Sequence, residues 1–352
     1  MKLTILSLLL FLLPLAIAAF SPAPPCPAPN VTIPVLDPVA LAWLNASSGS
    51  KPIYEFPIPK ARVLYDVLAT GNVSSPSPTD ISTEILYLPV GPTGNVTVYL
   101  YKPESSDREE GQGLLPVVVY FHGGGWIFGG PKSYEGLVYD LVHETGAAVF
   151  FVDYTRSPEA VYPVPIEESY SAVQWLLEHG EELGVDSTKM GFAGDSAGQM
   201  SAAVTLLSTK RNTPLPKYQV LLYPVTDLSC ESPTYKELAQ GVGLTPDVIR
   251  WMISIAAPDV NSRLEDIASP ARASDEDLAK FPETLIIVAE VDVLRQDGED
   301  FGRRLQKLGV RAATFRALGT IHGFASVNPL SQTPVARAAI ELVGLKLKKA
   351  LC

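Results

Sequence analysis

The sequence predicts an α/β fold, a mostly parallel sheet of eight strands flanked by helices, with a helical cap. Two observations carry that prediction. From Leu115 onward, short apolar runs alternate with amphipathic helical stretches, the rhythm of a parallel sheet covered on both faces. Within that rhythm Gly194-Asp195-Ser196-Ala197-Gly198 follows one apolar run and opens a small-residue helix, which is the strand, sharp turn and helix context of a nucleophile elbow.

In chain order, Met1-Lys2, the apolar run Leu3 to Leu13 and the small-x-small close Ala16-Ile17-Ala18 read as a signal peptide over residues 1–18. Residues 19–352 then form a single domain that is exported, with no membrane anchor, because no later apolar run approaches ~20 residues. Four of the chain's seven asparagines stand in sequons, at Asn30, Asn45, Asn72 and Asn95, an excess that fits a secreted glycoprotein. All four fall in segments read as arm, loop or hairpin, where a glycan can point to solvent.

Residues 21–38 are crowded with proline and read as an extended arm. Short helical pieces punctuated by Pro52, Pro57 and Pro59 follow up to Thr70. Thr83 to Leu88 and Asn95 to Tyr101 flank Gly91-Pro92-Thr93-Gly94 and make a hairpin. The alternation then runs strand 117–121, helix 134–144, strand 147–152, helix 166–179, strand 189–193, helix 197–208 and strand 219–223. It breaks between Pro224 and Pro282, where Pro233 to Ala239 and Pro246 to Ala256 are helical and the second presents Val248, Trp251, Met252 and Ile255 on one face. Segments 36–70 and 225–270 are the expected cap. The sheet resumes with strand 284–289, helix 297–308, strand 312–317 and a closing helix 334–350.

The formal charge of −11 and the absence of a Lys/Arg cluster argue against nucleic acid or an anionic membrane as partner. Cys26, Cys230 and Cys352 lie far apart with no C-x-x-C, so neither a metal site nor a redox motif is expected. In an oxidising compartment one disulfide and one spare thiol are expected. Cys26 with Cys352 would tie the termini, but the pairing stays open.

A chance G-x-S-x-G occurs in roughly one chain in ten of this length, so the pentapeptide needs support. His122-Gly123-Gly124-Gly125-Trp126, directly after Leu115 to Phe121, supplies it. Three glycines let the N–H groups of Gly124 and Gly125 point into a site, and Ala197 N–H adds a donor at the start of the helix after Ser196. A serine hydroxyl attacks a carbonyl only with an imidazole base, and that base needs a carboxylate on its other nitrogen. His143 and His179 lie on flanking helices, and His122 braces the glycine loop. His322, after the last strand, is therefore the base. Asp292, just past strand 284–289, is the first choice of acid. Asp297 reads instead as a helix N-terminal charge, and Glu290 is weaker still.

HGGG at 122–125, GDSAG at 194–198, Asp-x-Leu at 292–294 and His-Gly-Phe at 322–324 together resemble the hormone-sensitive-lipase family of α/β-hydrolases, in its bacterial-esterase-like branch. Asp153-Tyr154-Thr155-Arg156-Ser157-Pro158-Glu159 and the Pro163-Val164-Pro165 stretch after it are similar to a connection of that family, and the resemblance runs over about residues 80–345. It implies an α/β-hydrolase fold with Ser196 as nucleophile, His322 as base, Asp292 as orienter, and Gly124, Gly125 and Ala197 as oxyanion hole. Gln199 and Gln296 depart from the family pattern, the first where a second glycine is usual. The signal peptide and sequons suggest a secreted, fungal-type member.

The resemblance implies a cofactor-free serine carboxylesterase acting through an acyl-enzyme on a small ester. Acyl transfer on a specialised metabolite and a non-catalytic ligand-binding role, as in the plant gibberellin receptors, are the alternatives. Trp126, Ile127, Phe128, Trp251, Met252 and Phe324 are candidates to surround the substrate, and they favour short acyl, acetyl or aryl esters. The oligomeric state is open.

Overall fold

Eight strands form one sheet in the computed structural model, which describes residues 34–352 apart from 48, 72–77, 105–112 and 240–241. The expected signal peptide, Cys26, Asn30 and Asn72 lie outside the described residues. The strands are β1 Ile81–Leu88, β2 Val96–Pro103, β3 Leu115–Phe121, β4 Ala148–Asp153, β5 Val185–Asp195, β6 Tyr218–Leu222, β7 Glu283–Val291 and β8 Ala312–Ile321, in the order β1-β2-β4-β3-β5-β6-β7-β8. The β1–β2 hairpin and the β2–β4 pair are antiparallel, and every pair from β4 through β3 to β8 is parallel.

Alternate residues of each central strand feed two cores, as the two-residue repeat of a strand requires. Val117, Val119 and Phe121 of β3 face one side, together with Phe150 and Phe192. Val118 and Tyr120 face the other, with Val149 and Phe151. Eleven α-helices accompany the strands among the described residues: α1 Pro38–Ser47, α2 Ile58–Thr70, α3 Pro131–Thr145, α4 Val164–His179, α5 Met200–Arg211, α6 Pro233–Glu237, α7 Pro246–Ala256, α8 Asp275–Leu278, α9 Arg295–Lys307, α10 Asn328–Ser331 and α11 Pro334–Leu351. α3 and α11 cover the Val118 face, while α4 and α5 cover the other. α3 ends at Gly146, whose φ of 68° lets its N–H return to Val142 O, and α11 starts where Thr333 accepts from Ala336 N–H.

Three local expectations change. The helix expected from Ala197 begins as a 3₁₀ turn, Ser196–Gln199, because the strained nucleophile position cannot enter an α-helix directly. α7 is present, but beyond Pro246 at its start the residues it buries are Ile249, Met252, Ile253 and Ala256, one position round from the expected stripe. Val248, Trp251 and Ile255 are only partly buried, because that flank meets the Tyr54 turn, where Tyr54 and Trp251 rings lie 6.4 Å apart. Asn45, expected in a loop, is an exposed residue of α1, whereas Asn95 is exposed at the hairpin turn. Cys230 and Cys352 are both exposed and are not bridged to each other.

Candidate active site

β5, in the middle of the sheet, delivers Ser196 just past its C-terminal end with φ of 55°, a left-handed conformation that a non-glycine residue adopts only where its surroundings enforce it. The two glycines beside it do the enforcing. A Cβ on Gly194 would lie 2.2 Å from Gly198 O, and one on Gly198 would lie 2.2 Å from Phe121 O, so both must lack a side chain for the turn to close.

Three side chains from separate strand ends then fall in line. His322 Nε2 lies 2.8 Å from Ser196 Oγ, and His322 Nδ1 lies 2.7 Å from Asp292 Oδ2. A carboxylate accepts, so the Nδ1–H donates to Asp292, which leaves the Nε2 lone pair facing the serine hydroxyl. The other Asp292 oxygen is held by Leu294 N–H at 2.9 Å, and the residue is 1% exposed. The ring of Tyr223 packs edge-on against His322 at 5.0 Å, and its hydroxyl donates to Ser326 Oγ at 3.1 Å.

The competing carboxylates are engaged elsewhere. Glu290 Oε2 accepts Gly319 N–H at 2.7 Å, which ties the end of β7 to β8. Asp297 does sit in the first turn of α9, but it is buried rather than a surface charge. Burial pushes its carboxyl up to about 7; Ser232 opposes the shift by hydrogen bonding and Asp292 adds to it by repulsion.

The glycine loop is held by Asp195, a residue with no role in the motif itself. Asp195 accepts Gly123 N–H and the Tyr120 hydroxyl, each at 2.8 Å, and the Tyr134 hydroxyl at 3.1 Å. Burial raises its pKa, and the Tyr120 hydrogen bond is the largest effect pulling it back. A carboxylate at the second place of G-x-S-x-G, on a strand paired with one ending Tyr120-Phe121, was the available signal. His122 is fully buried, stacked 4.3 Å from Tyr154 and 5.3 Å from Phe151, and its Nδ1–H donates to Gly123 O at 2.8 Å. Burial drives its pKa down to about 3, so it braces the loop as a neutral ring.

Gly124 and Gly125 have φ of 93° and 60°, and Gly124 O accepts Ile127 and Phe128 N–H at 3.2 and 2.9 Å. A Cβ on Gly125 would lie 2.2 Å from Met252 Sδ, so α7 closes on the loop from above the glycine. Ala197 is buried at the start of the 3₁₀ turn.

A small apolar pocket adjoins the loop, with Trp126, Tyr162, Ile166, Leu228 and Ala257 in its wall and Gln199 and Ser157 among them. Of the expected pocket aromatics, Trp126 lines it. Phe128 instead stacks on Tyr65 of α2 at 5.1 Å and leans on Trp251 at 5.9 Å, which links the two cap segments. Phe324 is buried in the core 5.3 Å from Tyr223 and does not line this pocket, because the turn after His322 carries it inward. Arg62 of α2 was not anticipated at all. It donates to Ile127 O and Ser157 O, both at 2.9 Å, and pairs in bidentate fashion with Glu159 at 2.7 and 2.6 Å.

Comparison with known proteins agrees with this geometry. The profile of the alpha/beta hydrolase fold matches residues 118–326. An esterase of Gibberella moniliformis (strain M3125 / FGSC 7600) is 37% identical over 273 residues, 77% of this chain and 84% of that protein. The crystal structure of carboxyl esterase 2 from the mycorrhizal fungus Tuber melanosporum superposes with a TM-score of 0.82 at 62% identity, covering 90% of this chain and 100% of that one. A thermostable esterase from Pseudomonas putida superposes with a TM-score of 0.85 at 36% identity, covering 92% and 99%.

Proposed function

The chain belongs to the α/β-hydrolase family, as a carboxylic-ester hydrolase of the hormone-sensitive-lipase-like branch, and from that premise we propose that it works as a serine esterase through an acyl-enzyme on short-chain, acetyl or aryl esters. One observation carries the reading, the line from Ser196 Oγ through His322 to Asp292, with hydrogen bonds of 2.8 and 2.7 Å. Nε2 takes the hydroxyl proton as Ser196 Oγ bonds to the ester carbonyl carbon, and Asp292 stabilises the imidazolium that results. The carbonyl oxygen, now an oxyanion, is held by the N–H groups of Gly124, Gly125 and Ala197. Collapse breaks the bond to the alcohol, which leaves with the proton from Nε2. Water, deprotonated by the same nitrogen, then releases the acid and restores Ser196.

Ser196→Ala tests this. Turnover of a nitrophenyl ester should fall by about 10⁴-fold or more with the thermal transition unchanged. Near-normal hydrolysis by that variant would overturn the serine mechanism. A chain-length series of nitrophenyl esters on the wild type should peak at short acyl groups.

The same proposal places the mature enzyme outside the cell as a glycoprotein beginning near Ala19. It is supported by the charged start, apolar core and Ala16-Ile17-Ala18 close of the first residues, and by the exposure of Asn45 and Asn95. N-terminal sequencing with an intact mass before and after endoglycosidase checks it; a mass equal to the full bare polypeptide counts against it.

A further inference from the structure

Tyr134, in the first turn of α3, is 1% exposed and packs against both limbs of the glycine loop. A Cβ on Gly123 would stand 2.9 Å from its hydroxyl oxygen, and one on Gly129 would stand 3.0 Å from Cε2 of its ring. The hydroxyl donates to Asp195 Oδ2 at 3.1 Å, while Asp195 Oδ1 accepts Gly123 N–H at 2.8 Å. One carboxylate therefore joins Tyr134 to the peptide that leads into Gly124 and Gly125.

The chain of hydroxyls continues outward. Tyr65 Oη lies 3.3 Å from Tyr134 Oη, and because the Tyr134 proton is committed to the carboxylate, Tyr65 donates and Tyr134 accepts. Burial first, and the charge of Asp195 next, push both phenols up, so both keep their protons near neutral pH. Tyr65 belongs to α2, in the first cap segment, and the next residue, Asp66, accepts the hydroxyl of Ser133 at 2.5 Å. Neighbouring residues of α2 thus meet neighbouring residues at the head of α3.

A chain of this kind bears on rate more than on binding. An oxyanion hole works only where its N–H groups aim at the oxygen of the tetrahedral intermediate, and the aim of Gly124 and Gly125 follows from how the preceding peptide is held. Removing the Tyr134 hydroxyl takes a donor from a buried carboxylate, which then resettles and carries Gly123 N–H with it.

Resting on the serine-esterase reading above, we infer that Tyr134 is a positioning residue for the oxyanion hole and that Tyr65 makes its setting depend on α2, so that the first cap segment contributes to the rate of the chemical step. Neither hydroxyl touches substrate or passes a proton during the reaction.

The test measures kcat and KM on a nitrophenyl ester, and the inhibition constant of trifluoroacetophenone, for wild type, Tyr134→Phe, Tyr65→Phe and the double variant. Ser196 Oγ adds to the carbonyl carbon of this ketone, the π pair becomes an alkoxide, the hydroxyl proton passes to His322 Nε2 and no group leaves, so its affinity reads the oxyanion hole without turnover. Tyr134→Phe should lower kcat and kcat/KM alike by about ten- to a hundredfold, as loss of a hydrogen bond to a buried charge implies. Tyr65→Phe should lower both by about three- to tenfold with KM unchanged, and the ketone should weaken by the same factor as kcat/KM in each variant. In the Tyr134→Phe background, Tyr65→Phe should add less than about twofold, because the chain is already cut. Losses that multiply independently, or a raised KM with kcat and ketone affinity unchanged, would assign both tyrosines to packing and overturn the inference. Should Tyr134→Phe fail to fold, Tyr65→Phe decides alone, and wild-type kcat and ketone affinity in it overturn the inference. A wild type that neither turns over the ester nor is labelled at Ser196 by a fluorophosphonate would overturn the serine-esterase reading itself; an active, labelled wild type with unaltered variants overturns only the role of the tyrosines.

Discussion

Gly198 lies against the carbonyl of Phe121 so closely that a Cβ on it would stand 2.2 Å from that oxygen. The turn after β5 and the end of β3 are thus in backbone contact, and the contact sets Ser196 beside the glycine loop that β3 leads into. Gly198→Ala is expected to force these backbones apart, because neither atom is the tip of a flexible side chain. The thermal transition should drop by an amount corresponding to at least 1–3 kcal/mol, the rough cost of overpacking, with esterase activity largely lost. A variant with wild-type melting and activity would show that the contact relaxes freely.

The three carboxylates near His322 should separate cleanly by substitution. Asp292→Asn keeps the shape but favours the wrong imidazole tautomer, and kcat should fall by about 10⁴-fold. Asp297→Asn and Glu290→Gln touch no atom of the imidazole and should stay within about tenfold of wild type, since Glu290 serves Gly319 N–H and Asp297 is hydrogen-bonded away from the ring. Initial rates on one nitrophenyl ester decide the order; a larger loss for Asp297→Asn than for Asp292→Asn contradicts it.

Asp297 also makes a pH prediction. Its folded pKa, pushed up to about 7 from an ordinary 3.8, lies above the unfolded one, so its contribution to stability is fully present below about 3.8 and is lost as pH rises through 7. Above that pH the folded protein carries a buried charge facing Asp292 and Asp227, at a cost on the order of 4 kcal/mol. Asp297→Asn, which cannot ionise, should therefore melt at a higher temperature than wild type at pH 8.5, and the gap should shrink as pH is lowered toward 5. A gap that is constant across this range would refute the assignment.

Arg62 fastens α2 to the segment behind the glycine loop through two backbone carbonyls and Glu159. The Glu159 end is exposed and contributes little, so most of the effect lies in the bonds to Ile127 O and Ser157 O. Arg62→Met should lower stability by about 1–2 kcal/mol and raise KM more than it lowers kcat, because the loop that lines the pocket loses its brace while the Ser196 to Asp292 line is untouched. Arg62→Lys should not rescue it, since a single ammonium cannot reach both carbonyls and a carboxylate together. Urea melts and a Michaelis plot for the two variants measure this.

Much of this protein could be read along the chain. The alternation of apolar runs with amphipathic stretches specified six strands and their helices, because a parallel strand buried on both faces and a helix buried on one have different periods wherever they occur, and the Gly91-Pro92-Thr93-Gly94 turn marked the hairpin that adds the other two. HGGG and GDSAG declared themselves for a similar reason: backbone conformations at positive φ and a close approach of two chains admit few residues other than glycine. His322 and Asp292 followed from their places after the last strands, so elimination within one sequence led to the pair that the structure brings within 2.7 Å.

Other features were decided by tertiary packing. Asp195 meets Tyr120, Gly123 and Tyr134 only because β3 and β5 pair in parallel with Phe121 opposite Gly194, a register that no local pattern states. The buried stripe of α7 turned by one residue because its other flank packs on the Tyr54 turn from the far end of the sequence, and helical periodicity does not distinguish two neighbouring apolar faces. Phe324 went to the core and Gln199 to the pocket because side-chain direction at a turn depends on what already occupies each side. Local conformation follows from neighbours in the chain, which the sequence alone determined; which side chains converge across a hundred residues depends on sheet register and volume already filled, and only the folded structure decided that.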